Sequence, residues 1–415
     1  LAPAIKNYPV QSPTWVVVMQ DYGEGETAPP ISSTGSQALF AGAWEGYGPE
    51  QFLNYGRLPG HRFMINWPQQ GNDYGVGLDR LIESTSARYG YWQEAKAHSQ
   101  EFAHTIQAEL GARYGLAEGV FPELEGTPGG GAFALYPYYR ESRRLIGLTT
   151  VSERDILPMQ EGQVAPLPVN GAGVVDAIAI GNYPNDHHYP GFDMSLAPKA
   201  IHWGGRWTGT PFTIPYGALV PANIDGLLAC DKNISVTHIA NGATRLQPVV
   251  LGIGQAAGAA AALCLHQHCQ PRQLSVRSLQ QALLQDEQAP ATVVPCFDLL
   301  PTDEHWIEYQ QAYLHNPQTY PKNGFIYPSH KVGNRPSVLP SVLSPVASTF
   351  RGQYQQGENN GHQLLCRGDN TTDHPLTLVS VSPQATNQLT RATNGSHLNV
   401  HGIHNGGGGW ILVDD

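Results

Sequence analysis

The segment QPVVLGIGQAAGAAAALC, residues 247–264, contains a residue spacing that is typical of nucleotide-binding loops. Gly252, Gly254 and Ala257 follow the pattern G-x-G-x-x-A. In that pattern the small residues let the backbone approach a pyrophosphate, which lies at the N-terminus of the helix that follows. The chemistry indicated by the spacing alone is therefore dinucleotide binding.

The sequence around these glycines does not supply the other parts of such a site. A dinucleotide fingerprint needs a preceding strand, and an acidic residue about 20 positions further on to bind a ribose hydroxyl. No Asp or Glu occurs between Lys232 and Gln285, and Pro248 interrupts the short apolar run before the glycines. We therefore predict that the spacing is a false match, and that the small residues allow a helix to pack closely against a sheet or another helix.

Composition and charge limit what the chain can bind. Among 415 residues, 23 are basic and 34 acidic, which gives a formal net charge of -11 without any lysine or arginine run. This balance argues against nucleic acid and anionic membranes as partners and favours a small-molecule substrate. The most apolar stretch, Val249 to Leu265, is rich in alanine and broken by glycines, so we predict no membrane span.

The cysteines and histidines do not predict a metal site or a disulfide framework. The five cysteines are scattered and include no C-x-x-C pair, and the histidines of HQHC, residues 266–269, are two positions apart at a helix end and do not converge on one face. The chain starts at Leu1 without a signal-peptide pattern, so we expect the natural N-terminus to lie upstream. The compartment stays open, with the cytoplasm favoured.

Four parts follow from the pattern of apolar residues, glycines and prolines. Residues 1–210 are predicted to form a β-rich domain with a helical insertion over 79–115, and residues 211–295 an α/β part with a strand at GLLAC followed by the helix at 247–264. Residues 296–348 are predicted to be a helix and a proline-rich linker, and 349–415 five short strands of a small β-barrel-like module. In strand count alone this module resembles an OB-like domain.

Several blocks, taken in order, resemble a known family. These are YYRESRRLIG with SERDIL, then DAIAIGNYPNDHH, then FTIPYGALVPANIDGLLACDKNISVTHIANGATRLQPVVLGIGQAAGAAAAL, with NWPQQGNDY upstream. Together they resemble the bacterial FAD-dependent oxidoreductases, flavoproteins with a glutathione-reductase-type FAD domain related to the fumarate-reductase flavoprotein. The resemblance covers roughly residues 60–285. It implies an α/β fold, α+β overall, and FAD as cofactor.

The resemblance also implies a segment that the sequence lacks. In that family the G-x-G-x-x-G fingerprint for the FAD pyrophosphate lies near the N-terminus, upstream of the RESRR block. No strand–glycine–helix segment of that kind occurs in this chain. We therefore expect an incomplete FAD domain, because the sequence is a fragment, because a separate chain supplies the segment, or because the chain is a degenerate paralogue.

Cofactor contacts are implied residue by residue. By resemblance, Asp231 ends the late strand of the FAD domain and contacts the ribityl-pyrophosphate region, although Ala229 and Cys230 stand where glycine is common. Residues Leu251 to Gln255, including Gly252, Ile253 and Gly254, are implied to direct backbone amides at the pyrimidine edge of the isoalloxazine. A positive helix end would stabilise reduced flavin there.

Candidate catalytic residues follow from the same alignment of blocks. Arg245 immediately precedes the flavin-facing helix, where a fixed guanidinium binds a carboxylate or stabilises hydride transfer. His238 and one histidine of the DHH segment, His188, are candidates for proton transfer, although buried structural histidines are more common. Arg143 faces away from Arg140 and Arg144 at strand spacing, so at least one of the three is expected to point inward. Arg143 is the candidate for contact with substrate or flavin, the alternative being a solvated or salt-bridged edge with Glu141.

Two polar residues are candidates for the substrate. Asn72 and Asp73 in PQQGNDYG could bind a small polar substrate, the alternative being a simple Gly-Asn-Asp turn. We predict a flavin oxidoreductase that transfers a hydride between that substrate and FAD. The alternatives are a flavin-free binding or structural relative, one half of a two-chain flavoenzyme, and a carbohydrate- or surface-binding protein that works through its tail.

Overall fold

The computed structural model of this chain separates into two compact units. It describes residues 10–156, 164–183, 185–188, 200–201, 211–296, 299–321, 324, 326, 348–357, 361–367, 375–380, 383–405 and 410–413. The first unit comprises the described residues within Leu1–Ser142 and His187–Met194. The second comprises those within Arg143–Asp186 and Ser195–Asp415.

The first unit combines an antiparallel sheet with one long helix. Its elements are β1 (Val17–Asp21), α1 (Pro49–Tyr55), β2 (Arg57–Leu58), β3 (Arg62–Ile65), α2 (Arg80–Glu83), α3 (Thr85–Leu110) and β4 (Tyr114–Leu116). The strands lie in the order β2-β3-β1-β4. Helix α3 begins where the Ser84 side chain accepts a hydrogen bond from the Ala87 amide and ends at Gly111, which has a φ of 133°. It lies within the 79–115 segment predicted to be helical.

The second unit starts with a small buried sheet flanked by helices. Its elements before the tail are α4 (Glu153–Ile156), β5 (Ala177–Gly181), β6 (Asn185–Asp186), β7 (Ala200–Ile201), β8 (Phe212–Pro215), α5 (His238–Thr244), α6 (Gln247–Gln267), α7 (Val276–Leu284) and α8 (Trp306–His315). Strand β5 pairs antiparallel with β8, and β6 pairs parallel with β7. Helix α6 packs on β5 through Ile253, Ala256 and Ala260, all of which are buried.

The tail of the second unit is a closed barrel with its own apolar core. Its elements are β9 (Ser348–Gln356), β10 (His362–Cys366), β11 (Leu376–Ser380), α9 (Pro383–Arg391), β12 (His397–Asn405) and β13 (Trp410–Val413). The barrel order is β10-β11-β13-β12-β9. The strands coincide with the five short segments expected from the sequence, whereas α9 was not predicted.

Short 3-10 turns complete the described elements, at Gln37–Phe40, Tyr216–Ala218, Pro271–Gln273 and Pro317–Thr319. The chain is thus a mixed α and β protein whose sheets are mainly antiparallel.

Two expectations differ from the structure for physical reasons. The compact units do not follow the predicted boundary after residue 210, because β5 pairs with β8 and so joins residues 143–186 to the second unit. The predicted strand GLLAC is not a strand: residues 227–230 belong to no helix or strand, and the Ala229 amide donates a hydrogen bond to the Leu219 carbonyl at 2.9 Å. No strand among the described residues lies beside them to complete a ladder.

Candidate functional site

A buried ionic network lies in the first unit around Asp73. The Asp73 carboxylate accepts a hydrogen bond from the Thr14 hydroxyl and one from Arg140 Nη2 at 3.0 Å, and lies 2.6 Å from His188 Nδ1. Arg140 also donates from Nη1 to the Ser12 carbonyl. These groups, Asp73, Arg140, His188 and Thr14, are called the Asp73 network below.

The network holds Asp73 as an anion. Burial alone would raise the pKa of Asp73, but the charges of Arg140 and His188, with hydrogen bonds from His188 and Thr14, outweigh it and hold that pKa below 3.8. Because Nδ1 of His188 faces this carboxylate, Nδ1 is the nitrogen that carries a proton toward Asp73, which fixes the orientation of the ring. The network can therefore orient one acid–base imidazole.

Asn72 has a structural role that the sequence did not indicate. Its Oδ1 accepts from the Trp67 amide at 2.9 Å, and its Nδ2 donates to the carbonyls of Trp15 and Ile65 at 3.1 and 3.0 Å. The side chain is fully buried, and both amide hydrogens are used within the unit. These contacts account for both of its amide hydrogens, and the predicted contacts of Asn72 and Asp73 with a substrate stay predictions.

The inward-pointing arginine of the RESRR block is Arg140. Arg143, the predicted catalytic arginine, is exposed, whereas Arg140 is 1% exposed. The prediction used the two-residue alternation of a strand, but residues 139–146 form no strand, so that alternation does not apply. The structure therefore places Arg140, and not Arg143, in the interior, and a catalytic role for Arg143 stays a prediction.

A second buried ion pair lies in the second unit, immediately before α6. Arg245, 4% exposed, donates from Nη2 to the Asp186 carboxylate at 3.1 Å and to the Asp186 carbonyl at 3.1 Å. His238, the first residue of α5, is also buried. Thr237 caps the N-terminus of this helix, because its hydroxyl accepts a hydrogen bond from the Ala240 amide. Arg245 is therefore a fixed charge whose position depends on Asp186.

Helix α6 begins one turn earlier than the alignment of blocks implied. Its first residue is Gln247, and the Val250 amide already donates to the Leu246 carbonyl at 2.9 Å. The amides of residues 251–255 are therefore inside the helix and cannot point at a ligand. The backbone groups without a partner inside the helix are instead those of its first turn, Gln247 to Val249. Pro248 lies in this turn, a position that tolerates proline.

The residues at the false fingerprint are mostly used in packing. A Cβ at Gly252 would lie 3.2 Å from the Ala179 Cβ on β5, and one at Gly254 would lie 3.5 Å from the Cys230 carbonyl oxygen. Ile253 is buried in the core, and the Gln255 side chain donates to the Ala289 carbonyl at 2.6 Å. Close helix packing thus explains Gly252, as the sequence predicted.

Asp231, the predicted ribityl ligand, is exposed. One of its carboxylate oxygens accepts from the neighbouring Lys232 amide at 2.5 Å. It does not end a strand, because residues 227–230 form none, and its contact with a cofactor stays a prediction.

A comparison with protein families identifies the chain. The profile described as FAD dependent oxidoreductase matches residues 5–283, which is more than half of the sequence. The chain belongs to this family. Its cofactor is accordingly FAD and its general function that of an oxidoreductase, while the tail barrel lies beyond the matched residues. No curated protein and no solved structure matches the chain significantly.

The second unit of this FAD-dependent oxidoreductase fits part of its cofactor. Asn241 Oδ1 and Thr244 Oγ1 on α5 are buried and have no hydrogen-bond partner among the described residues. Buried polar atoms are normally paired, so polar edges of a flavin or its ribityl chain suit these two positions. The described residues contain no strand–glycine–helix turn for the pyrophosphate; after β1, Gly23 and Gly25 lead into a loop.

The structure of this oxidoreductase contains a buried carboxylic acid, Asp176, that the sequence analysis does not predict. Asp176 precedes β5 and accepts a hydrogen bond from the Gly217 amide at 3.0 Å. Burial raises its pKa to about 6, against the opposing effect of that hydrogen bond. A lone Asp inside the apolar run GVVDAIAIG was the available signal.

Along α6, the two glycines Gly252 and Gly258 make a matched test of the packing explanation. Gly258→Ala is expected to raise the free energy of unfolding by about 0.5–1 kcal/mol, because nothing lies within 4 Å of its added Cβ and alanine favours helix. Gly252→Val is expected to lower it by about 1–3 kcal/mol, because its methyl groups would overlap β5. Urea unfolding of both variants measures this, and equal effects would contradict the packing explanation.

Helix α6 also passes the length and composition test for a membrane-spanning helix, the only one to do so among the described residues. From its glycines and alanines, the sequence analysis predicts no membrane span in this stretch. Most of the helix is not buried, and Leu251 and Leu265 are 74% and 77% exposed. The helix therefore has one face in the core of the second unit and one exposed apolar face.

Proposed function

We propose that this FAD-dependent oxidoreductase transfers a hydride between FAD and a small polar organic substrate. The observation that supports this most directly is the buried Arg245–Asp186 pair placed immediately before α6 in the family-matched part of the chain. FAD, when bound, supplies the acceptor or donor of the hydride. The glutathione-reductase-type architecture of the FAD domain belongs to the same proposal.

In this proposal the second unit supplies charge and orientation. Asp186 holds the Arg245 guanidinium in place, so that the guanidinium binds a substrate carboxylate or stabilises developing negative charge without reorganising. In the first unit, taken by itself, Asp73 fixes the orientation of His188, and we propose His188 as an acid–base residue of that unit. Asn241 and Thr244 bind polar edges of the cofactor.

Replacing Arg245 tests this role. Arg245→Ala is expected to slow flavin reduction at least about tenfold, which is 1.4 kcal/mol of activation free energy, with flavin still bound. Rapid-mixing absorbance of the flavin-loaded enzyme measures the rate. The control is Arg272→Ala, which removes an exposed pair with Asp225 at 2.6 Å in the same unit and should leave the rate unchanged.

Loss of folding must be separated from loss of catalysis. Arg245→Ala strands the buried Asp186 charge, so the double variant Arg245→Met with Asp186→Asn removes both charges and should fold. It is still expected to reduce flavin slowly. Flavin reduction at the native rate in the folded double variant would remove Arg245 from the proposal.

We further infer that a nucleotide-binding segment from the same or another polypeptide covers the outer face of α6. Two observations favour this candidate. The outer face presents Leu251 and Leu265, which are 74% and 77% exposed, and residues 227–230 belong to no strand among the described residues. A strand and helix carrying the pyrophosphate loop would pair with residues 227–230 and bury that face.

If a nucleotide-binding segment covers the outer face of α6, one variant should affect turnover without affecting the stability of this chain. Leu251→Glu with Leu265→Glu is expected to leave the free energy of unfolding of this chain unchanged, because both side chains are exposed in it. The same variant should abolish FAD-linked turnover in the flavin-loaded enzyme, whereas Gln267→Glu should not. Unchanged turnover, or tight FAD binding by this chain alone in a fluorescence titration, would contradict the candidate.

A further inference from the structure

The tail barrel has a topology that is associated with binding extended polymers. Its five strands close in the order β9-β10-β11-β13-β12, with β11 parallel to β13 and α9 inserted between β11 and β12. Ala385 and Leu389 of α9 join the barrel core. This is the arrangement of an OB-type barrel, in which a ligand chain crosses the second and third strands, here β10 and β11.

The side chains that point out of the barrel on neighbouring strands include a group of polar residues beside Leu365. Alternation along each strand directs Phe350, Tyr354, Leu364 and Leu378 into the core, so their neighbours point outward. Strand register places Gln363 opposite both Gln355 and Thr377, and Gln353 opposite both Leu365 and His397. We call Thr377, Gln363, Gln355, Gln353 and His397 the amide face.

The chemistry of the amide face suits hydroxyl groups. A glutamine side chain carries two amide hydrogens and one carbonyl oxygen, and the threonine hydroxyl and histidine ring offer a donor and an acceptor each. Gln353 donates from Nε2 to the Gly395 carbonyl at 3.1 Å, so Gln363 and Gln355 are the glutamines that the proposal uses. Neighbouring glutamines on paired strands lie about 5 Å apart, which lets both contact one ring bearing adjacent hydroxyls. A polyhydroxylated chain would therefore meet donors and acceptors along three strands.

The charge of the tail disfavours nucleic acid, the other common ligand of such barrels. Residues 348–415 contain three arginines, no lysine and five acidic residues. A nucleic-acid strand needs several cationic contacts to neutralise its phosphates, and a tail with net negative charge repels it. Neutral sugar residues carry no such requirement.

We propose that the amide face of the tail barrel binds a neutral oligosaccharide. The barrel is thereby a carbohydrate-binding module joined to the oxidoreductase part, and its ligand is distinct from the small substrate of that part. Binding depends on Gln363 and Gln355 at the centre of the face, since each contacts sugar hydroxyls across the β9–β10 pair.

The test uses the complete chain and a panel of immobilised neutral hexasaccharides of β-1,4-glucose, β-1,4-mannose, β-1,4-xylose and α-1,4-glucose, with a dT15 oligonucleotide for comparison. At least one hexasaccharide is expected to bind, and dT15 is not. Gln363→Ala with Gln355→Ala should weaken that binding about tenfold, as expected for two lost hydrogen bonds.

A matched variant separates the amide face from the rest of the module. Gln384→Ala with Gln388→Ala removes two exposed amides from α9 and should leave affinity unchanged. Thermal unfolding of both double variants confirms that the barrel is intact. Binding of no hexasaccharide at millimolar concentration, tighter binding of dT15, or equal weakening by the α9 variant would each overturn the proposal.

Discussion

Replacing Arg140 with methionine is expected to lower the free energy of unfolding of the first unit by about 3–5 kcal/mol, the largest effect on stability among our predictions. Asp73 has no exposed surface on its side chain, and Arg140 is its one guanidinium partner among the described residues, at 3.0 Å. Removing Arg140 leaves a buried carboxylate without its strongest compensating charge. Urea unfolding followed by tryptophan fluorescence measures the loss.

Two controls show whether the charge pair is the cause. Arg113→Met breaks a partly exposed pair with Asp21 at 3.3 Å and should cost less than about 1 kcal/mol. Arg140→Met with Asp73→Asn removes both charges and should recover most of the loss. If the double variant were as unstable as Arg140→Met alone, packing of the arginine stem would explain the effect instead.

The same network makes stability depend on pH. Because the folded-state pKa of Asp73 is lower than 3.8, its contribution is complete above about pH 4 and is lost as the pH falls through the folded-state value. Asp73→Asn should flatten this part of the stability curve. If the free energy of unfolding of that variant fell with decreasing pH as in the wild type, other carboxyl groups would be the cause of acid unfolding.

Asp176→Asn is expected to raise the free energy of unfolding at pH 7 by about 2–3 kcal/mol. Burial raises the pKa of Asp176 to about 6 from 3.8, so the folded state binds this proton more tightly than the unfolded state. The resulting stability is complete below about pH 4 and is lost as the pH rises through 6, at about 1.4 kcal/mol for each unit of pKa. Asparagine keeps the acceptor for the Gly217 amide and avoids the buried charge.

The measurement is urea unfolding of wild type and variant from pH 4 to pH 8. The difference between them should grow with pH and level off above about pH 6, because only the wild type gains a buried charge. Asp225→Asn, at an exposed pair, should shift stability by less than about 1 kcal/mol at every pH. A destabilised Asp176→Asn would show that the ionised carboxylate has a partner that stabilises it.

Local patterns in the sequence predicted many of the helices and strands. The helical pattern over 79–115, the helix at 247–264 and the five short strands of the tail are each set by neighbours within a few residues. The strand predicted at GLLAC was wrong because a strand exists only through its neighbours, which local pattern cannot supply.

By itself, the sequence determined the family, through several blocks in a fixed order, and with it FAD and oxidoreductase chemistry. It also gave the packing explanation of Gly252. Only the tertiary structure decided which charged residues meet, since Asp73 lies 67 residues from Arg140 and 115 from His188 along the chain. Burial and ion pairing depend on such distant contacts, and no local spacing determines them.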